Sequence, residues 1–379
     1  MSFTALAVLC LVGLVGPLLA LPRQWHLPVM LGELVAGVLL GRTGLGYLDA
    51  GDETFTFVAD IGFALVMFVA GTHVPVRDRR LRPALRTGVL RAVAVGAVAV
   101  GLGYAVAALV GTSHALLYAV LMASSSAAVI LPLKDSVGLG GDDVLRLLPQ
   151  VAIADAACIV LLPLAIDPSH ALRAGLGALA VVGCGLAAYL AFEWVERSGW
   201  RARVHDVSEE RSFAVELRVS LTVLFAIAAL AVTLHVSIML AGFALGLAVS
   251  AVGQPRRVAK QLFAITEGFF GPVFFVWLGA SLGIRALAGN PAMLGLGACL
   301  GAGAVLAHLV ARFLGQPLPL AMLAAAQLGV PVAAATIGSQ LDLFEPGEGS
   351  ALLLGALVTL AVAVAGGSVA VRNADSSAV

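Results

Sequence analysis

Residues 121–132 read Leu-Met-Ala-Ser-Ser-Ser-Ala-Ala-Val-Ile-Leu-Pro, and residues 326–333 read Ala-Gln-Leu-Gly-Val-Pro-Val-Ala. Both stretches lie inside long apolar segments in which an uninterrupted helix would be expected. Each contains polar or helix-breaking residues at similar depth: Ser124, Ser125 and Ser126 in the first, and Gln327, Gly329 and Pro331 in the second. We expect both helices to unwind there and to free carbonyl groups and helix ends for binding a ligand. Two kinked helices, with serine bonding back to the preceding turn, are the alternative.

The composition places the whole chain in a membrane. Of the 379 residues, 60% are hydrophobic and only 12% are charged, which is too little charge to cover a water-soluble protein of this length. The net charge is zero, so nothing points to nucleic acid as a partner. The four cysteines stand singly in apolar runs and show no metal or disulfide spacing. No nucleotide-binding fingerprint has a strand–turn–helix context, so we expect no cofactor.

Apolar runs of about 20 residues predict membrane-spanning helices. Thirteen such segments can be counted: 3–21, 28–46, 56–74, 87–110, 115–135, 147–166, 171–192, 213–233, 236–252, 258–283, 291–314, 318–340 and 349–371. We therefore predict an all-α polytopic membrane protein in contact with lipid.

The positive charges indicate the direction of these helices. Seventeen of the 22 Lys and Arg residues adjoin loops after odd-numbered segments, and only three adjoin loops after even-numbered ones. Because cytoplasmic loops keep Lys and Arg, the N-terminus should lie outside and the C-terminus in the cytoplasm.

Thirteen helices divide naturally into six, one and six. We predict a first six-helix repeat at 1–166, a linker helix and cytoplasmic loop at 167–212, a second repeat at 213–371 and a short cytoplasmic tail at 372–379. Equivalent helices are then seven apart, so the repeats have inverted topology, as in many secondary transporters.

Asp155 is the strongest candidate for a functional group. It lies about eight residues into the sixth segment, with apolar neighbours on both sides. A carboxyl group in that position is stable either protonated or ionised with a bound cation. A proton and a cation therefore compete for one group, as cation:proton exchange requires. A neutral aspartate that only hydrogen-bonds within the bundle is the alternative.

Other polar residues within the segments are weaker candidates. Glu33 and Asp60 lie near helix N-termini, where the helix dipole favours a negative side chain, and for Asp60 we favour this structural role. Glu267 could line a cavity or tie two helices together. His308 titrates in a useful range but is more often a packing residue. With Gln327, we keep Glu33, Glu267 and His308 as possible accessory residues.

Several stretches resemble monovalent cation:proton antiporter family 2, which includes bacterial sodium/proton and potassium/proton exchangers. They are 27–41 with 43–46, 61–71, 241–246 and 272–279, and their order and spacing resemble the second, third, ninth and tenth helices of that family. The resemblance implies a sodium/proton antiporter-like fold with two crossed, discontinuous helices. It also implies that Asp155 and Ser124–Ser126 form the ion and proton site, and that the protein is a homodimer with a mobile core domain.

Three positions depart from the family pattern. Ala154 replaces the usual polar residue before the aspartate, the eleventh helix carries no lysine, and His73 replaces a glutamate. With one carboxylate and no lysine, we expect one-for-one, electroneutral exchange of Na⁺ or K⁺ for H⁺ across the plasma membrane. A sodium-coupled organic-anion symporter and a non-transporting membrane sensor remain the alternatives.

Overall fold

The computed structural model describes residues 2–21, 28–74, 81–136, 139–198, 214–253 and 256–377. Within these ranges every regular element is a helix. Most of the long, polar loop predicted after the seventh segment, residues 199–213, lies outside the described ranges, as do several of the arginines used to predict the topology.

The described part of the first half of the chain contains nine α-helices. They are α1 (Phe3–Gly13), α2 (Val15–Ala20), α3 (Val29–Leu40), α4 (Glu53–His73), α5 (Leu81–Val110), α6 (Ala115–Ala123), α7 (Ala127–Ser136), α8 (Asp142–Ile166) and α9 (Ala171–Arg197).

Nine more lie in residues 214–253 and 256–377. They are α10 (Val215–Thr233), α11 (Ile238–Val252), α12 (Arg256–Ile265), α13 (Gly271–Ser281), α14 (Ile284–Ala288), α15 (Pro291–Leu309), α16 (Leu318–Ala324), α17 (Gly329–Gln340) and α18 (Glu348–Ser377). A π-helical segment, Thr266–Phe270, joins α12 to α13.

Some apolar spans consist of two α-helices, such as α1 with α2 and α16 with α17. Among the described residues, ten spans are long and apolar enough to cross a membrane, and three shorter ones lie at 29–40, 115–130 and 238–252, so the spans match the thirteen predicted segments one for one. The boundaries differ locally: the first predicted helix is divided at Leu14, and the second ends at Leu40 instead of reaching residue 46. The all-α polytopic fold is confirmed, whereas the division into two inverted repeats stays a prediction.

The second interrupted helix lies at the centre of the bundle. In the segment Leu318–Ser339, 78% of an apolar stretch of 18 residues is buried, compared with 17% of such a stretch in Val215–Thr233. Two helices near this centre, α4 and α11, pack backbone to backbone: a methyl group at Gly71 would lie 2.5 Å from the carbonyl oxygen of Phe243. Small residues at such contacts allow membrane helices to approach closely.

Candidate functional site

The first break lies at the three serines. Helix α6 ends at Ala123, Ser124 is extended (φ −72°, ψ 148°), and α7 begins at Ala127. The backbone N–H of Ser124 and its hydroxyl both donate to the carbonyl oxygen of Leu121, at 3.0 and 2.8 Å. Ser124 thus bonds back to the preceding turn, as the alternative interpretation supposed, but the helix is interrupted and not merely kinked.

The second break occupies residues 325–328, between α16 and α17. Leu328 takes a non-helical conformation (φ −150°, ψ −63°) just before α17 begins at Gly329. Pro331 falls in the first turn of α17, where its missing N–H leaves no intrahelical bond unmade. The backbone N–H of Gln327 donates to the hydroxyl oxygen of Thr359 on α18 at 3.2 Å.

The two breaks touch each other. The backbone N–H of Ser126 donates to the carbonyl oxygen of Ala326 at 2.8 Å. The hydroxyl of Ser125 donates to the carbonyl oxygen of Ala324, the last residue of α16. The predicted pair of crossed, discontinuous helices is therefore confirmed.

Asp155 lies at this crossing. Its side chain is buried, and its Oδ2 accepts a hydrogen bond of 2.9 Å from the backbone N–H of Ala127, the first residue of α7. A carboxylate at a helix N-terminus is stabilised by the free N–H groups and by the helix dipole. Oδ1 of Asp155 and the hydroxyl of Ser126 form no hydrogen bond with any residue that the structure describes.

His308 also reaches the crossing. It is fully buried on α15, with Nδ1 2.9 Å from the carbonyl oxygen of Ala304 and Nε2 3.3 Å from the hydroxyl oxygen of Ser125. Because a carbonyl can only accept, Nδ1 carries a hydrogen and Nε2 faces the serine. Gln327 is buried in the second break, and its side-chain nitrogen has no hydrogen-bond partner in the described ranges.

The other two accessory candidates lie elsewhere. Glu33 is buried on α3 beside Gly16, where a methyl group would lie 2.9 Å from its Cγ. Glu267 is exposed in the π-helical segment. Neither has a hydrogen bond to Asp155 or to the two breaks among the described contacts.

Two features of the site region were missed by reasoning from sequence. Thr359 binds the backbone of the second break, but one threonine in an apolar helix gave no signal. Glu348, fully buried at the start of α18, accepts hydrogen bonds of 2.7 Å from His114 and Tyr118 at the start of α6. The spacing in sequence is 230 residues or more for both pairs, so only the fold brings them together.

The chemistry of the crossing suits a singly charged ligand. In the described ranges no group of three or more His, Cys, Asp and Glu side chains could hold a metal ion. One carboxylate carries a single negative charge, which one proton or one alkali cation neutralises. Such a site is too weakly charged to bind a divalent cation tightly.

Comparison with known proteins gives consistent matches along nearly the whole chain. The family described as "Sodium/hydrogen exchanger, transmembrane" matches residues 6–371. The putative Na⁺/H⁺ antiporter YjbQ of Bacillus subtilis is 23% identical over 94% of this chain, which spans 61% of that protein's length. The probable Na⁺/H⁺ antiporter 3 of Methanocaldococcus jannaschii is 24% identical over 70% of this chain and 68% of its own.

Two further similarities concern potassium and the fold. The Na⁺/H⁺–K⁺ antiporter GerN of Bacillus cereus is 24% identical over 67% of this chain and 65% of its own length. The solved structure of the sodium proton antiporter MjNhaP1 from Methanocaldococcus jannaschii superposes with a TM-score of 0.66. It covers 97% of this chain and 96% of the other at 15% identity, so it bears on the fold alone.

Proposed function

Because this chain belongs to the transmembrane sodium/hydrogen exchanger family, we propose that it exchanges Na⁺ or K⁺ for H⁺ across the plasma membrane by alternating access. The chain is thus a multi-pass membrane transporter and not an enzyme. The specific cation, the membrane and the orientation with the N-terminus outside belong to the proposal, as does a homodimeric assembly.

One observation carries the proposed mechanism: Asp155 is buried against the first N–H of α7, where two interrupted helices cross. One oxygen of its carboxyl group is held by the backbone and the other has no partner among the described residues. That second oxygen is the atom to which a proton or a cation binds. Since both need the same lone pair and the same negative charge, binding of one excludes the other.

The hydroxyl groups of the first break differ in their freedom to turn. Ser124 and Ser125 donate to the carbonyl oxygens of Leu121 and Ala324, which fixes the direction of their own oxygens. Ser126 is free to turn its oxygen towards a cation, and it directly precedes the residue that holds Asp155. We therefore assign Ser126 as the serine whose hydroxyl binds the cation together with Asp155. Ser124 and Ser125 stabilise the non-helical conformation of the break.

His308 and Gln327 are assigned supporting roles at the crossing. The imidazole of His308 packs against Ser125, with Nε2 3.3 Å from the hydroxyl oxygen that links the two breaks. Gln327 offers an unpartnered amide that can donate to a water molecule in the site. Among the described residues, Asp155 is the one carboxylate hydrogen-bonded at either break, which supports an electroneutral exchange of one cation for one proton.

The test is a flux assay in proteoliposomes with an imposed pH gradient. The wild type should dissipate the gradient when Na⁺ or K⁺ is added, and Asp155→Asn should abolish this. Asp143→Asn is the matched control, because Asp143 lies on the same helix with an exposed side chain paired to Arg146 at 3.8 Å. An Asp155→Asn protein that exchanges like the wild type would refute the assignment. Flux that needs Na⁺ and an organic anion together would instead indicate a symporter.

A further inference from the structure

A cavity of about 290 Å³ lies between α4, the α10–α11 turn, α13 and α17. Its polar lining consists of Asp60, His235, Ser237 and Thr336. Since one water molecule takes about 30 Å³ of the liquid, the cavity has room for several. His235 and Leu341 are exposed where the cavity opens, whereas Val332 and Ala333 at its floor are buried.

Asp60 is not explained by the dipole of its own helix. It is the eighth residue of α4, about two turns from the start, and Asp52 already caps that end by accepting from the N–H of Phe55 at 2.9 Å. Asp60 forms no hydrogen bond or ion pair with any residue in the described part of the chain. An unpartnered carboxylate within an apolar span calls for a functional explanation. The structural role predicted for Asp60 from its position is therefore insufficient.

The floor of the cavity adjoins the second break. Val332 and Ala333 belong to the first turns of α17, which begins at Gly329. Two buried methionines lie against Gly329: a methyl group there would be 2.9 Å from the sulfur of Met239 and 3.3 Å from that of Met67. Met67 is two turns beyond Asp60 on α4, and Met239 is two residues beyond Ser237. These flexible thioethers close the space next to the crossing.

We propose that this cavity is an antechamber in which Asp60 binds the transported monovalent cation before it reaches Asp155, with Met67 and Met239 closing the passage in this conformation. The proposal rests on the exchange function proposed above and adds a second cation-binding position to it. A fixed negative charge in a low-dielectric cleft raises the local cation concentration. The hydroxyls of Ser237 and Thr336 are neutral oxygen ligands beside that charge. A partly hydrated cation fits because the cavity holds several water molecules.

The kinetic test uses uniformly oriented proteoliposomes with Na⁺ supplied from one side at a time. Asp60→Asn should raise KM for Na⁺ about ten-fold from the side to which the cavity opens. From the opposite side KM should stay unchanged, as should the maximal rate from either side. Asp60→Glu should restore most of the affinity. Glu53→Gln is the matched control, since Glu53 is exposed in the first turn of the same helix. An unchanged KM, or an equal rise from both sides, would overturn the antechamber.

A binding measurement separates failure of this proposal from failure of the exchange function. Tl⁺ binding is measured on purified Asp155→Asn protein and on the Asp60→Asn, Asp155→Asn double variant, after both are shown to unfold at similar temperatures. Binding retained in the first and lost in the second supports the antechamber even if the wild type exchanges nothing. Equal binding by the two proteins overturns it even if the wild type is an active exchanger.

Discussion

The breaks in the two interrupted helices are held by different groups, although the breaks contact each other. The first break consists of serines, and the backbone N–H of Ala127 that follows it holds the carboxylate of Asp155. No carboxylate of the described residues is hydrogen-bonded to the second break, which is held through backbone groups, with Ala324 and Ala326 as acceptors and Gln327 as a donor to Thr359. The first break thus holds the charged side chain of Asp155, which belongs to α8, and the second is held, within the described ranges, by neutral groups alone.

The largest expected effect distinguishes two neighbouring serines of the first break. Ser126→Ala should raise KM for the cation about ten-fold, because a lost contact to a charged group is worth roughly 1.5 kcal/mol. Ser124→Ala should change KM less, since the bond of its hydroxyl to the carbonyl of Leu121, at 2.8 Å, turns that side chain back towards α6. KM is measured for both variants by the flux assay. If Ser124→Ala proved the more damaging, the hydroxyl assignment at the first break would be wrong.

Substitutions at the second break should lower the stability of the protein more than its affinity for the cation. Thr359→Val removes the acceptor for the N–H of Gln327 and leaves that buried donor unsatisfied, at a cost of about 1–3 kcal/mol. We expect a lower unfolding temperature and an unchanged cation KM among molecules that remain folded. Thr222→Val, at an exposed threonine bonded only to the carbonyl of Arg218, serves as the control. If Thr359→Val raised KM as much as Ser126→Ala, the claim that the first break binds the cation and the second only stabilises the site would be wrong.

The sequence predicted the two breaks but not the contacts around them. Apolar length predicted the thirteen segments, and three consecutive serines or a Gln–Gly–Pro pattern located both interruptions, because these are local properties of the chain. Contacts between distant segments could not be read in this way. The bond from the N–H of Gln327 to Thr359 and the cavity around Asp60 depend on how helices pack, and no local pattern in the sequence signals either of them.

A smaller effect concerns the close contact at the start of α17. Gly329→Ala would place a methyl group 2.9 Å from the sulfur of Met239. Because methionine side chains are flexible, we expect a loss of stability of about 1 kcal/mol and a moderate fall in the rate of exchange. Combining the change with Met239→Leu tests whether this contact causes the loss, since the shift should then differ from the sum of the single changes. Strict additivity would contradict the contact.

The smallest effect concerns the start of the first interrupted helix. Hydrogen bonding to Glu348 raises the pKa of His114, at the start of α6, above its ordinary 6.5. The resulting stabilisation is therefore fully present below pH 6.5 and is lost as the pH rises through the raised value. His114 is partly exposed, so we expect less than about 1 kcal/mol. The difference in unfolding temperature between wild type and His114→Gln should shrink from pH 6 to pH 9. A difference that is constant with pH would exclude the charged pair.

Proton release on cation binding tests the central claim most directly. Na⁺ or K⁺ is added to purified protein in weakly buffered solution containing a pH indicator, at a series of starting pH values. Competition at Asp155 predicts that, at the most favourable pH, about one proton leaves each chain as the cation binds, and that none leaves the Asp155→Asn variant. Cation binding without proton release, or equal release from Asp155→Asn, would contradict the account.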